Sequence, residues 1–589
     1  MQNLPTPQLA GHLLVQCLVA QGVTHAFGVP GESYLAVLDG FHRYREHIEF
    51  IVCRQEGGAA FMAEAHGKLT GRPGVCFVTR APGATNACIG VHTAFQDSTP
   101  MVLLVGDVAS DQRDREAFQE MDYRVMFGPS ALGMAKRVER IDDAARIPEY
   151  VARAFATALA GRPGPVVLVL PEDMLTQALD AAQLPVVQPP VAVFGGEIGH
   201  EPAQNLQDLL SKAKQPLVIA GGGGWTPAAA QALQRFSDAW CLPVGNAFRF
   251  QDTFDNYHPH YAGDVGIGIN PLLARRIQEA DLILAIGPRL GEMTTGGYTL
   301  LSVPRPKQKL IHIHASAEEL GRVYQADLAI NASMASAAHA LAALPAPAEV
   351  PWRAWTAACH ADYLANLQPS PIAALPADTE RGLVDMPQVM QALHRHLPAD
   401  TVVTNGAGNF ASWVHRFHRF HGLAKGHKTQ LAPTNGAMGY GVPAGIAAAI
   451  ISKGIAGQAG KGRTVFTMAG DGDFLMNGQE LATAAQYGAK TIIVLLNNGM
   501  YGTIRMHQER EYPQRVAGTK LTNPHFAALA QAYGYAGVRI TRSADFEREL
   551  LAALERPEGT LIEILLEPEL ITTRGTLSGI TQAALGQGK

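Results

Sequence analysis

One stretch in the C-terminal third of the sequence constrains the fold more than any other. It consists of an apolar run (463–468), a Gly-Asp-Gly turn (470–472), a helical segment (478–487), a second apolar run (491–496) and paired asparagines (497–498). Two apolar runs separated by a glycine turn and a helix are typical of a βαβ unit with parallel strands. Both polar turns then follow strand ends, which is the edge of an open α/β sheet where ligands bind.

The side chains in these two turns suit a divalent cation and a diphosphate. Gly470 and Gly472 allow the backbone to approach a phosphate closely. Asp471 offers a carboxylate and Asn498 an amide oxygen, and Mg²⁺ prefers such oxygen ligands together with phosphate oxygens. With the main-chain carbonyl of Met500, they predict a Mg²⁺ site that holds a diphosphate. Gly-Asp-Gly alone would equally indicate a turn with an N-capping aspartate.

The spacing of the complete pattern is more specific than its parts. A segment of 24 residues, from Asp473 to Leu496, separates the Gly-Asp-Gly turn from the paired asparagines. This arrangement resembles the thiamine diphosphate (ThDP) motif of the family that includes acetolactate synthase, pyruvate oxidase and benzaldehyde lyase. The resemblance extends over nearly the whole chain, and it implies ThDP and Mg²⁺ as cofactors.

Size and composition narrow the class of protein. A chain of 589 residues is too long for one hydrophobic core, so about three domains are expected. A net charge of −5 and the lack of a basic run argue against nucleic acid as a partner. The six cysteines show no paired spacing, the N-terminal segment lacks the features of a signal peptide, and no apolar run approaches a membrane span. We therefore expect a cytoplasmic protein that acts on small molecules.

We expect an α/β protein with three doubly wound parallel-sheet domains. The predicted boundaries are 1–185 for an N-terminal domain that binds the ThDP pyrimidine, 200–343 for a middle Rossmann-like domain, and 377–570 for a C-terminal domain that binds the diphosphate and Mg²⁺. Two segments indicate linkers: residues 184–193, with proline and glutamine, and residues 345–376, rich in alanine and proline.

Glu56 is the principal catalytic candidate. It lies between a predicted strand (48–53) and a predicted helix, where a carboxylate also interacts favourably with the helix dipole. However, residues 54–74, RQEGGAAFMAEAHGKLTGRPG, resemble the segment that carries the family's essential glutamate. The resemblance implies that Glu56 binds the aminopyrimidine of ThDP and favours the tautomer that removes the thiazolium C2 proton. Apolar neighbours at 59–62 would supply the partly desolvated site that this role requires.

The resemblance implies further residues around the cofactor. Residues 80–86 are similar to the family's GPGATN segment, with Arg80-Ala81 in place of a small residue and glycine. Met438 stands where a bulky apolar side chain wedges the cofactor into a V shape, although a methionine that fills a core gap would look the same. The complete set of implied cofactor-binding residues is Pro82, Asn86, Ala407, Gly408, Asn409, Phe410, Gly436, Met438, Gly470, Gly472, Asp473, Tyr501 and Gly502.

The substrate pocket is the least constrained part of the prediction. Residues 117–120, AFQE, resemble an acetolactate synthase segment whose members face the reacting carbon, so Phe118 and Gln119 are candidates. Lys136 falls near a substrate-side lysine of those enzymes, but it could equally be a solvated surface residue. His507 could orient a carboxylate or donate a proton, or be a surface histidine. It belongs to a set of three positions, Thr503, Ile504 and His507, where acetolactate synthases carry other residues.

The middle domain resembles a FAD-binding domain in some relatives. A four-glycine turn at 221–224 could cradle an ADP group, but glycines alone are weak support for this. Glu292, Met293 and His314 depart from the pattern of the FAD-binding relatives. FAD is therefore left uncertain, and a purely structural domain is favoured.

The leading hypothesis for function is an acetolactate synthase-like carboligase that decarboxylates pyruvate or a similar 2-oxo acid. The alternative is a ThDP-dependent lyase, decarboxylase or C–C hydrolase. A flavin oxidase would need FAD, and a non-catalytic protein is disfavoured because Glu56, Met438, Asp471 and Asn498 are all present. In the family the two halves of each site come from different subunits, which implies at least a homodimer and commonly a homotetramer.

Overall fold

A computed structural model describes residues 8–128, 132–180, 184–193, 195–369, 384–453 and 462–587. The chain divides into two compact units. The first unit consists of residues 1–194, 446–462 and 482–487, and the second consists of residues 195–445, 463–481 and 488–589. Among the described helices, none is long and apolar enough to cross a membrane.

The first unit contains a six-stranded parallel sheet with the strand order β3-β2-β4-β5-β7-β6. Its strands, with the short antiparallel pair β1 and β8, are β1 (Gln8–Leu9), β2 (His25–Gly28), β3 (Glu49–Val52), β4 (Gly74–Val78), β5 (Met101–Asp107), β6 (Arg137–Arg140), β7 (Pro165–Pro171) and β8 (Ala178–Leu179). Its helices are α1 (Ala10–Ala20), α2 (Leu35–Arg43), α3 (Glu56–Thr70), α4 (Ala81–Asp97), α5 (Tyr123–Phe127), α6 (Ile147–Leu159) and α7 (Glu172–Leu175).

The second unit contains two more six-stranded parallel sheets, and the first has the order β11-β10-β9-β12-β13-β14. Its strands are β9 (Pro216–Ala220), β10 (Val244–Ala247), β11 (Tyr261–Val265), β12 (Leu282–Ile286), β13 (Lys309–His314) and β14 (Leu328–Asn331). The helices of this part of the chain are α8 (His200–Ser211), α9 (Pro227–Trp240), α10 (Pro271–Glu279), α11 (Met334–Ala342) and α12 (Arg353–Asn366).

The last sheet has the order β16-β15-β17-β18-β20-β19. Its strands are β15 (Val402–Asn405), β16 (Gln430–Leu431), β17 (Val465–Gly470), β18 (Ile492–Asn497), β19 (Ala536–Ile540) and β20 (Thr560–Leu565). The helices of this part of the chain are α13 (Met386–His396), α14 (Ala411–Phe417), α15 (Gly441–Lys453), α16 (Asp471–Asn477), α17 (Leu481–Gln486), α18 (Gly502–Glu511), α19 (Phe526–Ala532), α20 (Ser543–Glu555) and α21 (Leu577–Gly586).

The strands form because their apolar runs are buried on both faces. Every residue of β5, β12 and β18 is buried, as expected for parallel strands covered by helices on both sides. The predicted fold class, three parallel-sheet α/β domains, is confirmed. The predicted domain boundaries remain predictions.

Two helices begin earlier than the sequence indicated. The predicted helix after β17 starts at Gly478, but α16 begins at Asp471, directly after the strand. The segment that resembles GPGATN forms the first turns of α4 rather than a turn before it, since proline fits the first positions of a helix. Both differences place polar side chains at helix N-termini on the carboxyl edges of their sheets.

Candidate active site

Glu56 is the first residue of α3, and three residues separate it from the end of β3. The side chain of Gln55 caps this helix by accepting the N–H of Gly58 at 3.1 Å. One Glu56 carboxylate oxygen, Oε2, accepts a hydrogen bond from Asn86 Nδ2 at 2.9 Å. A Cβ added at Gly83 would lie 3.5 Å from the other oxygen, so the first turn of α4 lies close to the carboxylate.

Apolar residues follow Glu56 along α3. Residues 59–62 are fully buried, whereas Glu56 itself is half-buried. Burial, and then the charge of Glu56, raises the pKa of the Cys76 thiol. The structure therefore brings Glu56 and Asn86 into contact, on the same edge of the sheet as Pro82 in the first turn of α4.

Arg80 connects this edge to the segment that carries Phe118 and Gln119. The buried Arg80 guanidinium donates to the Phe118 carbonyl at 3.1 Å and forms an ion pair with Glu172 at 2.6 Å. Next to it, the N–H of Ala81 donates to the Gln119 carbonyl at 3.2 Å. Gln119 has a φ of +65°, which is costly for a residue with a side chain. The sequence showed Arg80 only as a departure from the family pattern, whereas the structure shows that it fixes this segment.

We expect Arg80→Ala to loosen residues 113–120, because the Phe118 carbonyl loses its donor and Glu172 its partner. Hydrogen exchange of that segment should be faster, and the KM for a 2-oxo acid should rise at least about fivefold while ThDP affinity changes little. Arg146→Ala is the matched control, since its pair with Glu149 is exposed and such pairs contribute little to stability. Unchanged exchange in residues 113–120 would contradict this account.

Lys136 lies away from the ligand edge of its sheet. It directly precedes β6, and its ammonium group donates to the carbonyls of Thr157 and Ala160 at 2.6 Å each, at the C-terminus of α6. Burial, and then the charge of Arg162, lowers its pKa to about 8. Because ligands bind at the carboxyl ends of parallel strands, this placement speaks against the substrate-side role predicted for Lys136.

In the second unit, glycines permit close contacts around the strand ends of β15 and β17. A Cβ at Gly470 would lie 2.7 Å from the Phe410 ring, and one at Gly472 would lie 2.6 Å from the Tyr501 ring. A side chain would force these rings away. The loop that contains Ala407, Gly408, Asn409 and Phe410 thus lies against the turn that contains Gly470 and Gly472.

Asp473 is buried beneath this loop. Its Oδ1 accepts the N–H groups of Gly439 at 2.8 Å and Ala407 at 3.3 Å. Its Oδ2 is buried and has no hydrogen-bond partner in the protein. Burial raises the pKa of the Asp473 carboxyl to about 7. A carboxyl group that keeps its proton near neutral pH can donate that proton to a phosphate oxygen, so this orphaned atom fits a diphosphate ligand.

The stability of the cofactor-free protein should depend on the protonation of Asp473. Its folded-state pKa of about 7 lies above the unfolded value of about 3.9, so the folded state binds the proton more tightly. The stability contributed by the protonated group is complete below about pH 4 and is lost as the pH rises through 7, on the order of 4 kcal/mol in total. We expect Asp473→Asn to flatten this part of the pH profile, measured as the urea midpoint from pH 5 to pH 8. An unchanged profile would contradict the prediction.

Asp471 and Asn498 follow the ends of the neighbouring strands β17 and β18. Asp471 Oδ1 accepts the Gly472 N–H at 2.9 Å, and Oδ2 accepts the Gly499 N–H at 2.8 Å. Burial raises the pKa of the Asp471 carboxyl above its usual value, although these hydrogen bonds partly oppose the shift. Asn498 Oδ1 accepts the Met500 N–H at 3.3 Å. The structure thus places Asp471 and Asn498, the side chains predicted to bind Mg²⁺, at adjacent strand ends. A hard cation such as Mg²⁺ needs oxygen ligands that lie close together in this way.

Asn523 is a residue of this site that the sequence analysis missed. Its Nδ2 donates to Asp471 Oδ2 at 2.7 Å. Nothing in its spacing from the paired asparagines indicates this contact, because it depends on how the loop after α18 returns to the sheet. Two main-chain hydrogen bonds hold that return, Tyr501 N–H to Thr519 and Leu521 N–H to Gly499.

Helix α18 carries the residues predicted to line the substrate pocket. Thr503, near its start at Gly502, accepts the Asn409 N–H at 2.9 Å and donates to Asn409 Oδ1 at 3.0 Å. It therefore holds the loop rather than presenting its hydroxyl to solvent. Ile504 and His507 are exposed and lie three residues apart, on the same face of α18.

Met438 is only partly buried, and it is absent from the hydrophobic cores of the described residues. A methionine that fills a core gap would be fully buried. Its loop is held by α16, because Asn477 Nδ2 donates to the Gly439 carbonyl at 3.0 Å. Gly436, with a φ of +71°, is exposed next to it. This placement favours the wedge interpretation of Met438.

In the middle domain, contacts within the protein account for the glycine turn. A Cβ at Gly222 would lie 2.1 Å from the Gly287 carbonyl oxygen, and one at Gly287 would lie 2.3 Å from that of Gly221. Trp225 Nε1 also donates to the Gly221 carbonyl at 2.7 Å. The glycines are therefore required by the packing of two turns, with or without a nucleotide.

A cluster of Asp238, His258 and His260 in the same domain has the composition of a metal site. However, His258 Nδ1 accepts the His260 N–H at 3.1 Å, so the proton of the neutral ring is on Nε2. That nitrogen lies 2.9 Å from Asp238 Oδ1. A metal on Nε2 would place a proton on Nδ1 against the His260 N–H, so a hydrogen-bonded pair explains the cluster better.

Comparisons with known proteins agree with this geometry. Residues 9–126, 203–342 and 406–564 match the N-terminal TPP binding domain, the central domain and the C-terminal TPP binding domain of thiamine pyrophosphate enzymes, TPP being another name for ThDP. The acetolactate synthase large subunit of Parasynechococcus marenigrum is 31% identical over 95% of this chain and 88% of its own length. The large subunit of acetolactate synthase isozyme 2 from Escherichia coli is 30% identical over 94% and 95%. The chain therefore belongs to the thiamine pyrophosphate enzyme family, as a ThDP-dependent enzyme of the acetolactate synthase type.

Proposed function

We propose that this enzyme is a Mg²⁺-dependent carboligase that decarboxylates a 2-oxo acid and joins the remaining fragment to a second carbonyl compound. Pyruvate is the first candidate substrate, because the two relatives given above are named acetolactate synthases. The observation that carries the proposal is Glu56, at the N-terminus of α3 and hydrogen-bonded to Asn86. A member of the family without catalytic function would not need this carboxylate.

The residues present fit the cofactor. Asp471, Asn498 and the Met500 carbonyl would bind Mg²⁺, and the buried carboxyl oxygen of Asp473 suits a phosphate. Pro82, Asn86, Gly436 and Met438 would contact the pyrimidine, and the diphosphate would be bound by Ala407, Gly408, Asn409, Phe410, Gly470, Gly472, Asp473, Tyr501 and Gly502. When bound, ThDP supplies a nucleophilic carbon and stores the electrons released by decarboxylation.

The protein's own residues control protons and geometry. Glu56 would hold a proton at its carboxyl group and share it with the pyrimidine ring, oriented by the Asn86 amide. The buried residues 59–62 exclude water from this side of the site. Phe118 and Gln119 would contact the substrate from a segment fixed by Arg80. His507, exposed on α18, would contact the acceptor.

The domain extents 1–185, 200–343 and 377–570 are part of the proposal. We also propose that the enzyme forms at least a homodimer, and a homotetramer as the larger assembly. A cytoplasmic location is also proposed. It is supported by six cysteines that are all free thiols. FAD is not part of the proposal, because packing explains the middle-domain glycines.

A second candidate function is a ThDP-dependent lyase, decarboxylase or C–C hydrolase that protonates the intermediate or cleaves a hydroxyketone or diketone. The observation that favours it is the change at Thr503, Ile504 and His507, where acetolactate synthases carry other residues. Thr503 is hydrogen-bonded to Asn409. The face of α18 that carries Ile504 and His507 would therefore determine which acceptor substrate binds.

The two candidates are separated by their products. The purified protein is incubated with ThDP, Mg²⁺ and pyruvate, and the products are identified by NMR. Acetolactate supports the carboligase, whereas acetaldehyde supports the decarboxylase. If ThDP binds but pyruvate is not consumed, pyruvate is excluded and other 2-oxo acids, hydroxyketones and diketones are tested. The visible absorption spectrum of the same sample shows whether a flavin is bound.

A further inference from the structure

We propose that Asn523 is a positioning residue for the Asp471 carboxylate. A buried hydrogen-bond relay through Asn497 and Glu563 sets the orientation of its amide. The proposal rests on the metal-ligand role proposed above for Asp471. It extends that role to residues on two further strands of the sheet, β18 and β20.

The Asn523 amide donates both of its hydrogens to neighbouring acceptors. Nδ2 lies 2.7 Å from Asp471 Oδ2 and 2.9 Å from Asn497 Oδ1. An amide nitrogen carries two hydrogens, so both are used by these contacts. Rotating the amide by 180° would place its oxygen against a carboxylate oxygen, and the two would repel each other. The donor side of Asn523 must therefore face Asp471.

Glu563 sets the orientation of the Asn497 amide. Its Nδ2 donates to Glu563 Oε1 at 2.8 Å, and a carboxylate only accepts hydrogen bonds. Asn497 must therefore turn its amide oxygen toward Asn523. Glu563 is fully buried on β20 and is held by both Nε and Nη2 of Arg539 at 2.9 Å, in the directly paired position on β19. This ion pair fixes the start of the relay.

The relay determines which oxygen of Asp471 is open to a cation. A carboxylate has about four acceptor sites, two on each oxygen. Oδ2 accepts from both Asn523 and Gly499, whereas Oδ1 accepts from Gly472. Of these three hydrogen bonds, Oδ1 accepts one and Oδ2 accepts two, so Oδ1 is the oxygen more open to a cation. Asn523 thus contributes to metal binding without touching the metal, by fixing the carboxylate so that Oδ1 is the ligand atom.

The test measures metal affinity rather than turnover. MgCl₂ is titrated into cofactor-free protein at a fixed ThDP concentration, and bound ThDP is measured by equilibrium dialysis. Loss of a residue that orients a metal ligand typically lowers metal affinity about 10- to 100-fold. We expect Asn523→Ala to raise the half-saturating Mg²⁺ concentration by this factor, with ThDP binding restored at high Mg²⁺. Asn523→Ser takes its place if the alanine variant does not fold, with the same expected direction.

Gln531→Ala is the matched control. It also removes a side-chain amide from the same domain, but its Nε2 donates at the surface to the Gly537 carbonyl at 2.9 Å, away from Asp471 and the relay. The relay is overturned if Asn523→Ala and wild type half-saturate at the same Mg²⁺ concentration, or if Gln531→Ala shows an equal loss. Wild-type ThDP binding without any dependence on Mg²⁺ would instead overturn the proposed role of Asp471.

Discussion

Glu56→Gln should lower turnover of the 2-oxo acid substrate by roughly 100- to 10,000-fold, the range expected for loss of a group that transfers a proton. The amide has the size of the carboxyl group and can still bond to Asn86, but it cannot exchange a proton with the pyrimidine ring. ThDP affinity should therefore stay within about threefold of wild type. The measurement is kcat in steady state, with ThDP affinity from calorimetry.

Glu49→Gln is the control for this substitution. Glu49 begins β3, the strand that ends just before Glu56, and burial raises the pKa of its carboxyl group. Its change should leave turnover within about twofold of wild type. If Glu56→Gln retained more than a tenth of the wild-type rate, the assignment of Glu56 as the group that acts on the cofactor would be wrong.

Asp471→Asn should weaken Mg²⁺-dependent binding of ThDP by more than about 100-fold, since it removes the negative charge that Mg²⁺ prefers in its ligands. It also brings an amide NH₂ group among three N–H donors, from Gly472, Gly499 and Asn523. At least one of these contacts becomes a repulsion between donors. The half-saturating ThDP concentration at fixed Mg²⁺ is the quantity to measure.

Asp545→Asn is the corresponding control on α20 of the same sheet domain. Its carboxylate pairs with Arg542 and Arg548 at the surface, so its loss should not change ThDP binding. Equal ThDP affinity in Asp471→Asn and wild type would mean that the metal lies elsewhere.

The sheets could be predicted from the sequence because parallel strands covered on both faces are continuous apolar runs. β18, for example, is buried along its whole length. The positions of Glu56, Asp471 and Asn498 could also be predicted. Polar residues that follow such apolar runs lie at the carboxyl ends of the strands, where ligands bind. The contact between Glu56 and Asn86 depends instead on how α4 packs against α3, which no spacing rule describes.

The sequence is least informative where the packing of distant segments decides the outcome. Similarity to the family left Lys136 open between a substrate-side lysine and a surface lysine, and the structure places it before β6, at the amino end of the sheet. Asn523 was missed because its contact with Asp471 depends on the return of a loop. Arg80 was noticed only as an unusual residue, since its partners Phe118 and Glu172 are far away in the sequence.

An omission assay on cofactor-free wild-type protein tests most directly whether the enzyme depends on both ThDP and Mg²⁺. Pyruvate consumption is followed with ThDP alone, with Mg²⁺ alone, with both, and with both plus EDTA. We expect turnover only when ThDP and free Mg²⁺ are present together, with acetolactate among the products. Consumption of pyruvate at the same rate without ThDP or without Mg²⁺ would show that the enzyme does not depend on both.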